Sequence, residues 1–311
     1  MAPPSDKERL AALGVSTTVY SLVYPETRAV LSELWAAHPH GMYAAPWTAR
    51  QDAMHEDFFA TWAAWSGLDD ISRRFPHAYP CAGSSEAIRD AICLMAAQVP
   101  KPRLVMLDGD YEGYPALAAA YGVEVVRLRR SHWREELATL EGPVQLFISH
   151  PSSIDGNLWP DLDALVRAFP GPVNLDLCYL GCTRRPFSVD LSAPNLQRIF
   201  FSLSKVYGVY YHRIGGVWSK TGMPGLWGNR WFKNLFSLRL GTELMRRYPR
   251  DVLPARHAPV QDAVAAAYPH AQLVPSDVVL LATAADGEPH FQRSSGIARY
   301  CLTPGMDARL S

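Results

Sequence analysis

A lysine, Lys205, stands inside the run FFSLSKVYGVYYHRIGG (residues 200–216), with Arg213 eight residues later and glycines near both. A lysine amine is costly to bury unless it is paired or chemically used. The ordinary alternatives are the end of an exposed strand, a surface turn, or a stem that snorkels over apolar surface. Two other stretches bear on the choice. AGSSEA (residues 82–87) reads as the start of a helix. Gly83, Ser84 and Ser85 would offer free N–H groups and hydroxyls to an anion such as a phosphate. The same letters also make an everyday cap, with Ser84 or Ser85 as the N-cap. NLDLCY (residues 174–179) closes an apolar run on Asp176, with Tyr179 three residues on. A carboxylate in that setting wants a cationic partner or strong donors, unless it is a helix cap or half of a structural ion pair.

Taken together the three stretches make one demand. A helix N-terminus, the serines (Ser202 and Ser204 among them) and Arg213 suit a phosphate. Asp176 suits a protonated ring nitrogen, and Lys205 suits an aldehyde. Pyridoxal 5′-phosphate carries all three groups.

These residues need elements to hold them. RLVMLDG, VEVVRL, PVQLFISHP, PVNLDL, RIFFSLSK and GGVWSK read as short apolar strands. GYPALAAAYG, DLDALVRAF and the stretch after AGSS read as helices between them, with AYPC leading in as a turn. Apolar strands alternating with helices imply βαβ units: an α/β chain whose mainly parallel sheet is covered on both faces. Ligands bind such sheets beyond the carboxyl ends of the strands, where Asp176, Lys205, Asp108–Tyr111 and Ser149–Ser153 fall. Residues 1–75 read as an N-terminal arm with helices at ETRAVLSELWAAH and MHEDFFATWAAWSGL, separated by the loop PHGMYAAPWTA. Residues 76–224 read as the large cofactor-binding α/β domain. Residues 225–311 read as a linking helix, WGNRWFKNLFSLRLGTELMRRY, and a small α+β domain with strands at DVVLLAT and GIARYCLT.

The 311 residues carry 48% hydrophobic and 19% charged side chains, the balance of a globular protein with a sizeable core. Basic and acidic residues are equal at 30 each, which argues against a whole-chain footprint for nucleic acid. Arg127, Arg129 and Arg130 read as a solvated turn. Five cysteines without a C-x-x-C pair point to a reducing compartment, by default the cytoplasm. The polar opening MAPPSDKERLAALG has no signal-peptide core, and no apolar run is long enough to span a membrane. Neither the dinucleotide fingerprint nor the P-loop motif occurs, and no cluster has metal-ligand spacing, HPH at 38–40 reading as a loop.

Four segments in order resemble the fold type I pyridoxal-phosphate enzymes, specifically the class I/II aminotransferases. SLSKVYGVYYHRIGG resembles the family's S-x-S-K segment with its following arginine, and NLDLCY its D-x-x-Y segment. LDGDYEGYPALAAAYGVEVV is similar to its D-P-x-Y-x-G-Y passage, and AGSSEAI to its phosphate-cup helix start. The resemblance implies a seven-stranded, mainly parallel sheet with a small α+β C-terminal domain, shortened here. It implies that Lys205 bonds the cofactor aldehyde and moves the α-proton, and that Asp176 keeps the pyridine nitrogen protonated. It gives Tyr179 to the phenolic oxygen, Tyr111 to the ring face, and Gly83, Ser84, Ser85, Ser202, Ser204 and Arg213 to the phosphate. Ser153, in HPSSIDG, stands where the family has an asparagine on the phenolic oxygen. Tyr211 stands where the lysine segment usually has glycine, which would narrow the site. Arg299 matches the arginine that clamps the substrate carboxylate, with Arg293 as competitor. The implied activity is transamination between an amino acid and a 2-oxo acid in a homodimer. The alternatives are elimination, retro-aldol cleavage, decarboxylation, cyclisation or oxidation on the same cofactor, or a non-catalytic cofactor-binding sensor. The aromatic stretches GMYAAPW and WGNRWFKNLF read as dimer-interface core or pocket lining.

Overall fold

Phe200 and Phe201 are neighbours in one strand and are buried on opposite sides of it, and the architecture follows from that alternation. The computed structural model describes residues 14–37, 49–68, 70–232, 234–268, 272–285, 289–294 and 296–311. Seven strands form the main sheet: β1 (His77–Cys81), β2 (Arg103–Leu107), β3 (Glu124–Leu128), β4 (Val144–Ser149), β5 (Val173–Leu177), β6 (Leu196–Ser202) and β7 (Gly215–Ser219). Their order is β1-β7-β6-β5-β4-β2-β3. Strands β2 to β6 pair in parallel, and β7 runs antiparallel to both its neighbours.

Helices cover both faces. On one, α4 (Ser84–Gln98) and α5 (Gly113–Ala120) bring Ile88, Ile92 and Tyr114 onto Met106, Phe147 and Phe200. On the other, α2 (Ala49–Ser66) stacks Trp62 on Phe201 at 4.2 Å between ring centroids. Its companions there include α1 (Pro25–Ala37) and α9 (Leu235–Arg247). Burial on both faces is why the parallel strands carry continuous apolar runs. The connections α3 (Ile71–Arg74), α6 (Trp133–Leu137), α7 (Leu162–Ala168) and α8 (Asn229–Phe232) are short. A four-stranded antiparallel sheet, β8 (Val274–Pro275), β9 (Leu281–Ala284), β10 (Gln292–Ser294) and β11 (Ile297–Cys301), is flanked by α10 (Val252–Ala266) and α11 (Thr303–Leu310).

Local differences from the sequence reading have physical causes. HAYPC is the edge strand β1, not a turn; Pro80 donates nothing and is tolerated because β1 pairs only with β7. The N-cap of α4 is Gly83 at φ 78°, and Ser84 and Ser85 lie inside the first turn. The expected long linking helix is two helices, broken where the Asn234 side chain accepts from Ser237 N at 3.2 Å and caps α9. Of DVVLLAT only the last three residues, from Leu281, lie in strand β9, while Val278 makes an isolated bridge to Thr183. Arg130 is not on a solvated turn: it pairs with Asp155 at 2.6 Å and lies over Trp159. The α+β reading of this region gives no bounds for α10 and α11, and Pro259 inside α10 masks its helical signal. The stretches HPH and GMYAAPW lie outside the described residues.

Candidate active site

The carboxyl ends of β2, β4, β5 and β6 open on one cavity of about 500 Å³. The start of α4, the loop before β7, the β10–β11 hairpin and residues 17–19 close it. Among the residues singled out in sequence, Ser84, Ser85, Tyr111, Ser153, Asp176, Tyr179, Ser202, Ser204, Lys205, Arg213, Arg293 and Arg299 line this cavity. Gly83 stands behind them against Arg213.

Asp176 belongs to β5, opposite Ser149 of β4 and Phe200 of β6. It is buried, and its Oδ1 accepts from Cys178 N at 3.1 Å. Burial, with the nearby Asp110 carboxylate second, pushes its pKa up to about 7. No lysine or arginine among the described residues pairs with it.

Lys205 lies in the turn that leaves β6 and donates its Nζ to Val19 O. Burial lowers its pKa, which favours the neutral, nucleophilic amine. The Ser204 hydroxyl beside it is buried with no partner.

Arg213 sits in the left-handed region at φ 51° and turns back across the sheet edge. Its Nη2 donates to Ala82 O at 2.6 Å and to Ser85 Oγ at 2.8 Å, which brings the guanidinium to the N-terminus of α4. A Cβ on Gly215 would lie 2.7 Å from Gly83 Cα, so only glycine lets β7 come this near.

The substrate half of the cavity holds two guanidinia. Arg299 of β11 is buried and donates to the Ser153 and Thr17 carbonyls; among the described residues no carboxylate pairs with it. Arg293 of β10 pairs with Glu112 and donates to Asp110 O at 3.1 Å. Burial first, then Arg299, lowers its pKa to about 10.

A pyridoxal phosphate fits this donor set. The unpaired buried carboxyl of Asp176 asks for a cation, and the orphaned Ser204 hydroxyl asks for an acceptor. Arg213 and the first turn of α4 ask for an anion. The sequence reading missed Thr17–Val19, whose letters carry no signal, and the part played by Asp110. Tyr211, expected to narrow the site, is 90% exposed and does not line the cavity. No group of three or more His, Cys, Asp or Glu side chains among the described residues is placed to hold a metal.

No protein-family model matches the chain, and no curated protein matches it in sequence. Solved structures do. An Escherichia coli protein identified as having a methionine aminotransferase function superposes with a TM-score of 0.70 at 15% identity, over 100% of this chain and 97% of that one. Histidinol-phosphate aminotransferase from Sinorhizobium meliloti, solved with pyridoxal 5′-phosphate, gives 0.67 at 13% identity over 99% and 94%. A C-S lyase from Staphylococcus hominis gives 0.69 at 12% identity over 94% and 87%. The chain therefore has the aminotransferase fold, fold type I of the pyridoxal-phosphate enzymes.

Proposed function

We propose that the protein is a pyridoxal-phosphate-dependent aminotransferase that moves the α-amino group of an amino acid to a 2-oxo acid. The observation that carries this reading is the convergence of Asp176, Lys205 and Arg213 on one cavity, each with a charge state or partner set that asks for a different part of the cofactor. The bound cofactor supplies a carbonyl that takes up an amine and a ring that withdraws electrons from the carbon bearing it.

This chain's residues do the rest. Arg213, Ser85 and the N–H groups of the first turn of α4 would hold the phosphate, with Ser84, Ser202, Ser204 and Gly83 around it. Asp176 would pair with the ring nitrogen and keep it protonated. Tyr111 would hold the ring and Tyr179 would donate to its phenolic oxygen. Lys205, its amine pKa lowered by burial, would anchor the cofactor and carry a proton on Nζ as general base and acid. Arg299 grips the substrate carboxylate with a two-point contact.

The half-exposed Tyr210 and the exposed Tyr211 beside Arg213 suit a second copy of the chain, so we read the enzyme as a homodimer. Free cysteines, three of them buried, suit a reducing cytoplasm, and no helix of the described residues is long and apolar enough to cross a membrane. An amino acid and a 2-oxo acid, rather than nucleic acid or lipid, are the partners this reading implies.

The test is a panel of amino acids added to the cofactor-loaded protein, with mass spectrometry of product and cofactor. Recovery of a 2-oxo acid together with the aminated cofactor supports the reading. Release of a sulfur, carbon dioxide or aldehyde fragment with the cofactor unchanged assigns a lyase instead.

A further inference from the structure

Asp110, in the loop after β2, is buried, and its carboxylate is held over long sequence distances. Its Oδ1 accepts from Ser153 Oγ at 2.5 Å and from Tyr111 N at 2.7 Å. Its Oδ2 accepts from Ser149 N at 3.1 Å. Backbone N–H groups can only donate, so each carboxylate oxygen accepts at least one bond here, an arrangement that suits the acceptor-only ionised form. The Ser153 hydroxyl is then the donor of its pair, and a serine has one proton to give. Ser153 is tied at its main chain as well, because Arg299 donates to its carbonyl. The residue is fixed from both ends while its side chain lines the cavity beside Asp176 and Tyr179.

We propose that Asp110 is a positioning residue: it takes the Ser153 proton and leaves Ser153 facing the cavity as an acceptor. The inference rests on the aminotransferase reading above. It reverses the role that the family resemblance gives Ser153, which is to donate to the phenolic oxygen, and it leaves that donation to Tyr179. The bond to Tyr111 N is a local turn contact, but those to Ser149 and Ser153 span 39 and 43 residues and join two strand ends. The groups facing Asp110 are Asp176 across β4, Tyr114 on α5, Cys178 after β5, and Arg293, which raises no direct pair but donates to the Asp110 carbonyl. Burial leaves the Asp110 pKa raised, against the pull of its donors, Ser153 foremost.

The experiment loads the protein with pyridoxal 5′-phosphate and titrates its visible absorbance against pH. Four forms are compared: wild type, Ser153→Ala, Asp110→Leu and the double variant. Ser153→Ala alone is expected to move the midpoint by less than about 0.2 unit, below the size of one hydrogen bond. Asp110→Leu is expected to lower it by about 0.5 unit or more, because a buried carboxylate is lost and the Ser153 proton, left without an acceptor there, turns inward. Adding Ser153→Ala to Asp110→Leu is expected to recover part of that fall. A rise of about 0.5 unit in Ser153→Ala alone overturns the proposal, since Ser153 would then be donating into the cavity with Asp110 in place. Equal shifts in Asp110→Leu and the double variant overturn it too, since Asp110 would act by charge alone. Should Asp110→Leu not fold, the Ser153→Ala result decides by itself. A protein that takes up no cofactor in wild-type form fails the aminotransferase reading, a result distinct from any of these.

Discussion

The Arg213 guanidinium packs so closely on Gly83 that a Cβ there would lie 2.9 Å from Arg213 Nη2. Gly83 also holds φ 78° and ψ 177°, a region open to almost nothing but glycine. The two residues set each other: glycine gives the backbone path into α4, and the arginine fills the space a side chain would take.

Gly83→Ala is therefore expected to cost about 1–3 kcal/mol of stability from backbone strain. It should also displace Arg213 from Ser85 and weaken cofactor affinity by about tenfold, the loss of one charge-assisted hydrogen bond. Thermal melts and an absorbance titration with pyridoxal 5′-phosphate read the two effects separately.

Asp176 gives a pH signature in the cofactor-free protein. Its folded pKa, about 7, lies above the ordinary carboxylate value, so the folded state binds the proton more tightly than the unfolded one. The stability this contributes is fully present below about pH 4 and is lost as pH rises through about 7. Asp176→Asn cannot ionise, so the cofactor-free variant is expected to melt higher than wild type at pH 8, with the advantage shrinking toward pH 5. With cofactor and an amino acid added, the same variant should lose most of its proton-abstraction rate, because an amide cannot hold a charged ring nitrogen. Melts at the two pH values, and hydrogen–deuterium exchange at the substrate α-carbon, check both halves.

Arg299→Lys is expected to raise KM for the amino acid by roughly 10- to 100-fold, since an ammonium cannot reproduce the planar two-point grip. Anchoring of the cofactor to the protein should be unchanged. Arg293→Lys is the control, because Glu112 and two backbone carbonyls already engage that guanidinium. A larger KM effect at 293 than at 299 would transfer the carboxylate role to Arg293.

The strand-and-helix alternation and the four motif segments were legible because each rests on local letters: apolar runs, a glycine–serine helix start, an aspartate at a strand end. The folded chain brings these separated segments to one cavity, and order along the sequence was enough to anticipate that. What was not legible depends on long-range contact. The strand HAYPC is defined by its pairing with β7 rather than by its composition, since Pro80 argues against a strand until its edge position is known. The Val19 carbonyl that receives Lys205 comes from 186 residues away and carries no side-chain signal. Asp110 was visible as a residue after a strand, but its hold on Ser153 requires β2 and β4 to be adjacent.

The most direct test of the account is to reduce the cofactor-loaded protein with borohydride, digest it and map the pyridoxyl mass. The account predicts that mass on Lys205, in the peptide that follows β6, and its loss in Lys205→Ala. Label on Lys101, Lys220 or Lys233, or a reduced protein with no lysine labelled, would contradict it.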